Sequence, residues 1–146
     1  MKKERFKLIA AVYIFFRQGD KVLLSRRFNT GYEDGNYGLV AGCIDGDEPL
    51  TQAMAREAQE EVGVKIDPKD LVLKTVMHWR EDVERLDFFF EPKKWQGEIK
   101  NMEPHKCDDL SWFPLDQLPD NVIPYIRQAL DCYRQGIIYS EFWMPQ

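Results

Sequence analysis

The chain has 146 residues, of which 44% are hydrophobic and 13% aromatic, material for one hydrophobic core and not for two, so a single domain over residues 1–146 is expected. Twenty-five acidic against twenty basic residues leave a formal charge of −5, the wrong sign for binding a nucleic-acid duplex by neutralising its phosphates. The apolar content also excludes intrinsic disorder, because such a chain buries enough surface to offset its ordering entropy.

Residues 8–16 form an apolar run behind Lys2, Lys3 and Arg5. The run mimics a secretory leader, but no small-residue cleavage site follows it, and it is too short to span a bilayer. Residues 8–17 and 21–27 are instead β-branched- and aromatic-rich segments joined by a Gly-Asp turn, which predicts a hairpin. Residues 28–38 carry three glycines with Asn29, Asp34 and Asn36 around two tyrosines, the composition of a long functional loop. Pro49 suits the first turn of a helix and Gly63 its left-handed stop. Further strands are expected over 71–80 and 85–91 around a Glu81-Asp82 turn, and a short one over 110–113. Apolar residues at helical spacing predict a second helix over 121–135, stopped by Gly136. Cys43, Cys107 and Cys132 are odd in number and contain no CxxC pair, which suits a reducing, cytoplasmic location.

The segment between Gly42 and Val64 carries the chemistry. On a helical wheel Leu50, Met54, Ala55, Ala58 and Val62 make an apolar stripe, while Glu57, Glu60 and Glu61 share a narrow arc at its border. Carboxylates about 6 Å apart repel by roughly 3 kcal/mol per pair at an effective dielectric near 20. A solvated helix face tolerates that repulsion through water, whereas a hard divalent cation turns it into attraction. Mg²⁺ takes oxygen ligands and is usually shared between carboxylates and substrate phosphates. Arg56 stands four residues before Glu60, so it can pair with and orient the cluster. The wider pattern favours the cation. Gly42, Glu48, Arg56, Glu57, Ala58, Glu60, Glu61, Gly63 and Val64 follow the spacing Gx5Ex7REUxEExGU, U being aliphatic, which a random chain of this length matches on the order of once in 10⁷.

This stretch resembles the signature of the Nudix hydrolases, and the order of elements around it resembles that family over nearly the whole chain. The resemblance implies an α/β/α sandwich around a mixed β-sheet, with a loop–helix–loop catalytic motif. It also implies hydrolysis of nucleoside diphosphate-linked compounds with Mg²⁺ or Mn²⁺. Carried over to this chain, Glu57, Glu60 and Glu61 are metal ligands with the Gly42 carbonyl, Glu48 and Arg56 hold loop and helix in register, and Glu57 polarises the attacking water. Val40-Ala41-Gly42-Cys43 departs from the Pro-Gly-Gly or Pro-Ala-Gly-His common in the family, and Cys43 is expected as a small buried side chain rather than a nucleophile.

The stretch from Trp95 to Pro104 is similar to the region where MutT-type members carry another acidic ligand, for which Glu103 is the first choice and Glu98 the second. Arg26 and Arg27 point to opposite faces of a strand, and Arg27 is the candidate phosphate donor. Asn121 either reads a base edge, as the MutT-type tail implies, or caps the last helix. Phe28, Tyr32 and Tyr37 are candidates to stack on a base, Tyr32 foremost.

Substrate class follows partly by exclusion. The proline about fifteen residues past the signature that marks ADP-ribose pyrophosphatases is absent, since no proline occurs between Pro68 and Pro92. The tyrosine of dinucleoside-polyphosphate hydrolases is replaced by Glu81 and Asp82, and the NADH-type proline and serine motif is missing. The expectation is a (deoxy)nucleoside triphosphate cleaved to the monophosphate and pyrophosphate. Nucleotide sugars, dinucleotides and a non-hydrolytic nucleotide-binding module stand as alternatives. A homodimer is compatible with the resemblance; a nucleic-acid duplex or membrane partner is not expected.

Overall fold

A computed structural model describes residues 2–144. Its strands are β1 (Ile9–Ile14), β2 (Arg17–Gln18), β3 (Lys21–Arg27), β4 (Tyr37–Gly38), β5 (Val40–Cys43), β6 (Leu71–Arg80), β7 (Glu84–Pro92), β8 (Cys107–Pro114) and β9 (Tyr139–Trp143). Its helices are α1 (Leu50–Val62) and α2 (Pro124–Gln135). Among the described residues, β5-β1-β7-β6-β9 form a mixed five-stranded sheet, in which β1 runs parallel to β7 and β9 parallel to β6. A second sheet joins β2, β3 and β4, with β8 also paired to β3.

Strand alternation explains the layering. Along the N-terminal run, Ala11, Tyr13 and Phe15 face the α2 side, where they pack with Ile126, Ala129 and Leu130. Val12, Ile14 and Phe16 face the α1 side, where they pack with Met54, Ala58 and Val62. Each half of the period thus has its own helix to bury against, giving the α/β/α arrangement and mixed sheet that the resemblance implies.

The expected hairpin between residues 8–17 and 21–27 does not form as such. β1 is bonded to β5 on one side and β7 on the other, so it has no free edge for β3. Only Arg17–Gln18 pairs with β3, opposite Val22 and Lys21. A run apolar at both parities belongs to a strand buried on both faces, and β1 is one. β9 has no local signal in the sequence, because its parallel pairing with β6 is non-local.

Helix α1 begins one residue past Pro49, which is its N-cap, and Gly63 closes it at φ 76° with its N–H on the Gln59 carbonyl. Replacing Gly63 with Ala forces a Cβ into the left-handed region and against Met102. Chemical denaturation is expected to show a loss of about 1–2 kcal/mol. α2 starts later than expected, at Pro124 with Ile123 as N-cap. Proline suits the first helical position but disfavours helical geometry in the residue before it. Asn121 is therefore not the cap. The last expected strand is longer than 110–113 and extends back to Cys107.

Candidate active site

β5 and α1 create the acidic centre by pressing a carboxylate onto bare backbone. A Cβ added at Gly42 would overlap the Glu57 carboxylate, so glycine there leaves the room that Glu57 occupies. Arg56 forks across the same region. Its Nη2 donates to Glu48 Oε1 at 2.6 Å, its Nη1 to Glu57 Oε1 at 3.1 Å, and Glu60 Oε1 lies at 3.5 Å. The Glu48 carboxyl is held below its ordinary range by that Arg56 bond. Glu48 on the loop and Glu57 and Glu60 on the helix are thereby tied through one guanidinium.

Glu61 is the deepest member of the cluster. Its Oε2 is buried without a hydrogen-bond partner among the described residues. Burial drives its carboxyl well above the ordinary range, and the Glu57 and Glu103 charges push the same way, against the Ala41 N–H. Burial also raises Glu57. Among the described residues, no three His, Cys, Asp or Glu side chains close into a finished metal cage. Mg²⁺ does not require one, because it keeps several waters and takes the remainder from substrate phosphates. An orphaned buried carboxylate oxygen beside a Glu57 carboxylate cradled on Gly42 fits a hard divalent cation.

The upward shift of these carboxyls has a measurable consequence. A folded-state carboxyl raised by burial binds protons that the unfolded chain releases, so the folded state loses stability as pH rises above the ordinary carboxylate range. Thermal melts in a chelator are expected to fall from pH 5 toward pH 8. Mg²⁺ should restore the part due to Glu57 and Glu61, but not the part due to Asp87, which burial raises elsewhere in the molecule.

Glu103 is carried to the cluster by backbone pairing. The Lys100 and Met102 N–H groups donate to the Val62 and Glu61 carbonyls, at 3.0 Å each, stitching the segment before Glu103 to the end of α1. Glu103 lines a cleft of about 540 Å³ with Glu57, Glu60, Glu61, Arg27 and Lys106. Glu98 is exposed and lies outside it. Lys106 and Asn101, whose side chain accepts from the Glu103 N–H at 3.0 Å, belong to no periodic pattern in the sequence that would mark them.

A second cavity of about 200 Å³ adjoins the cleft, and Arg27, Gly38, Leu39 and Ala41 line both. Tyr32 reaches this second cavity; Phe28 and Asn121 line neither. Arg27 gives Nε to the Tyr32 carbonyl at 2.6 Å and Nη2 to Thr30 at 3.0 Å, so it also staples its own loop. Asn121 braces that loop through Gly35, at 2.8 Å, and Tyr37 is buried against Phe113. Cys43, expected to be buried, is exposed at the end of β5. Arg85, Tyr13 and Tyr125 also line the second cavity. Arg85 shares its strand parity with Asp87 and the buried Phe89, which is what carries it toward the core side of β7.

The NUDIX domain family model matches residues 7–131. The chain belongs to the Nudix hydrolase family. The NAD-capped RNA hydrolase NudC of Stutzerimonas stutzeri (strain A1501) is 30% identical over 113 residues, which are 77% of this chain and 39% of that one. The chain thus spans well under half the length of that curated relative. A MutT Nudix hydrolase from Burkholderia pseudomallei superposes with a TM-score of 0.79 at 26% identity, over 86% of this chain and 98% of that one. A Nudix hydrolase from Nitrosomonas europaea shares the fold, with a TM-score of 0.72 at 23% identity over 91% and 93%. Among the described residues, no helix is long and apolar enough to cross a membrane.

Proposed function

We propose that this Nudix hydrolase cleaves a (deoxy)nucleoside triphosphate to the monophosphate and pyrophosphate, with Mg²⁺, or Mn²⁺ in its place, held by Glu57, Glu60, Glu61, Glu103 and the Gly42 carbonyl. The observation that carries this reading is the continuity of an acidic, polyanion-sized cleft with one base-sized pocket. A bound divalent cation supplies phosphate charge neutralisation and a water acidic enough to attack at neutral pH. Glu57, seated on Gly42 and steadied by Arg56, would orient an attacking water and accept its proton. Arg56 and Glu48 keep the carboxylates aimed, and Lys106 and Arg27 meet the phosphate oxygens farther along the cleft. Tyr32 covers the base and Asn121 fixes the loop that presents it. A cytoplasmic location goes with this reading.

A dinucleotide is the second reading, favoured by the NudC relatives although the NADH-type motif is missing from this chain. A panel of triphosphates, dinucleotides including NAD, and nucleotide sugars, assayed with Mg²⁺ and Mn²⁺, decides between them through the products. Monophosphate plus pyrophosphate supports the first reading. Two mononucleotides from NAD, with triphosphates left intact, overturn it in favour of the second.

A further inference from the structure

We propose that Arg85 selects the base, making the pocket beside the acidic cleft a site for 6-oxopurine nucleotides, guanine or hypoxanthine, in preference to adenine; this deepens and rests on the nucleotide reading above. Arg85 lies near the start of β7 and shares its face of the strand with Asp87 and Phe89, toward α2. Its side chain is only 19% exposed. Nη2 reaches the Tyr13 hydroxyl at 3.4 Å and the Cys43 sulfur at 3.9 Å, and the guanidinium carbon lies 5.2 Å from the centre of the Trp79 ring. Nε is buried and 3.5 Å from Asp87 Oδ1, yet neither atom makes a hydrogen bond. Asp87 itself is wholly buried, with its other oxygen on the Trp79 indole N–H.

The arrangement pins a guanidinium from below and from one side while leaving its donors undersupplied. Among the described residues, Nη1 has no hydrogen-bond partner. A buried cation whose donors are unmet is costly unless a ligand brings acceptors. Leu39, Ile123 and Ile126 supply none, the Cys43 sulfur is only a weak acceptor, and the hydroxyls of Tyr13 and Tyr125 lie 3.2 Å apart, bonded to each other. Arginine is a planar fork of donors with no acceptor. Guanine and hypoxanthine offer it O6 and N7 side by side, whereas adenine sets an amino donor beside N7 and cytosine also shows a donor. The pocket therefore pairs with the first two and meets a donor–donor clash with the others.

The test is calorimetric binding of guanosine, inosine, adenosine and 7-deazaguanosine 5′-monophosphates with Mg²⁺ present, in the parent and in Arg85→Gln. The parent should bind the guanosine and inosine compounds about tenfold or more tighter than the adenosine one, and 7-deazaguanosine, which lacks the N7 acceptor, should fall toward adenosine. Arg85→Gln, whose amide pairs a donor with an acceptor, should bring adenosine level with guanosine or above it. Equal binding of guanosine, adenosine and 7-deazaguanosine by the parent overturns the proposal. So does an equal loss for all bases in a folded Arg85→Gln. The parent series is decisive even where the variant fails to fold. Base discrimination without triphosphate hydrolysis would sink the cleavage reading and leave the assignment of Arg85 intact.

Discussion

Glu61→Gln is expected to lower Mg²⁺-dependent turnover by on the order of 10²- to 10³-fold in a chain that remains folded, and to raise stability in metal-free buffer. Both effects have one cause. Glu61 keeps an oxygen that is buried without a partner, and burial disfavours its charge. At neutral pH without metal that charge is a cost, and a neutral amide at this position removes it while donating to the neighbouring Glu57 carboxylate. The gain should be roughly 1 kcal/mol, read from denaturation midpoints in chelator. With metal the balance reverses, because the missing charge weakens the cation's hold. Glu60→Gln separates the two effects: its side chain is 54% exposed, so it should lose activity with little change in metal-free stability. A merely solvated acidic face predicts full activity in both variants, and that outcome would remove the catalytic reading of the cluster.

Gly42→Ala should lower turnover by about 10²-fold with little change in secondary structure. Gly42 has no positive φ, so alanine fits its backbone. The conflict is with the Glu57 carboxylate, which an added methyl would displace. The measurement is kcat together with Mg²⁺ titration, against a circular-dichroism spectrum unchanged from the parent. A normal kcat would show that the position of Glu57 against β5 has no bearing on catalysis. An unfolded variant would be answered by Glu57→Asp, which withdraws the carboxylate by one methylene and leaves Gly42 untouched.

The clustering of the acidic residues was legible because it is local. Asp45, Asp47, Glu48, Glu57, Glu60 and Glu61 lie in a short stretch with Arg56 as its only base, so the acidity of the chain is concentrated there. Helical periodicity alone puts Glu57, Glu60 and Glu61 beside an apolar stripe, and Pro49 and Gly63 mark the ends of the helix within one residue. The strands over 71–80 and 85–91 were legible for the same reason, since a short turn joins neighbours that pair with each other.

What the sequence by itself determined, then, is the carboxylate helix and the elements built from near neighbours, because 3.6- and 2-residue periods and turn chemistry act over a few residues. Tertiary structure decided whatever depends on distant pairing. It took β1 out of its expected hairpin and placed it between β5 and β7. It brought Glu103 to the cleft through hydrogen bonds to the end of α1. It also set Arg85, unremarkable in the linear chain, in a pocket shared with Tyr13 and Tyr125 from two other elements. Burial is a property of that assembly, so the orphaned oxygen of Glu61 and the undersupplied donors of Arg85 become visible only once the sheet has closed around them.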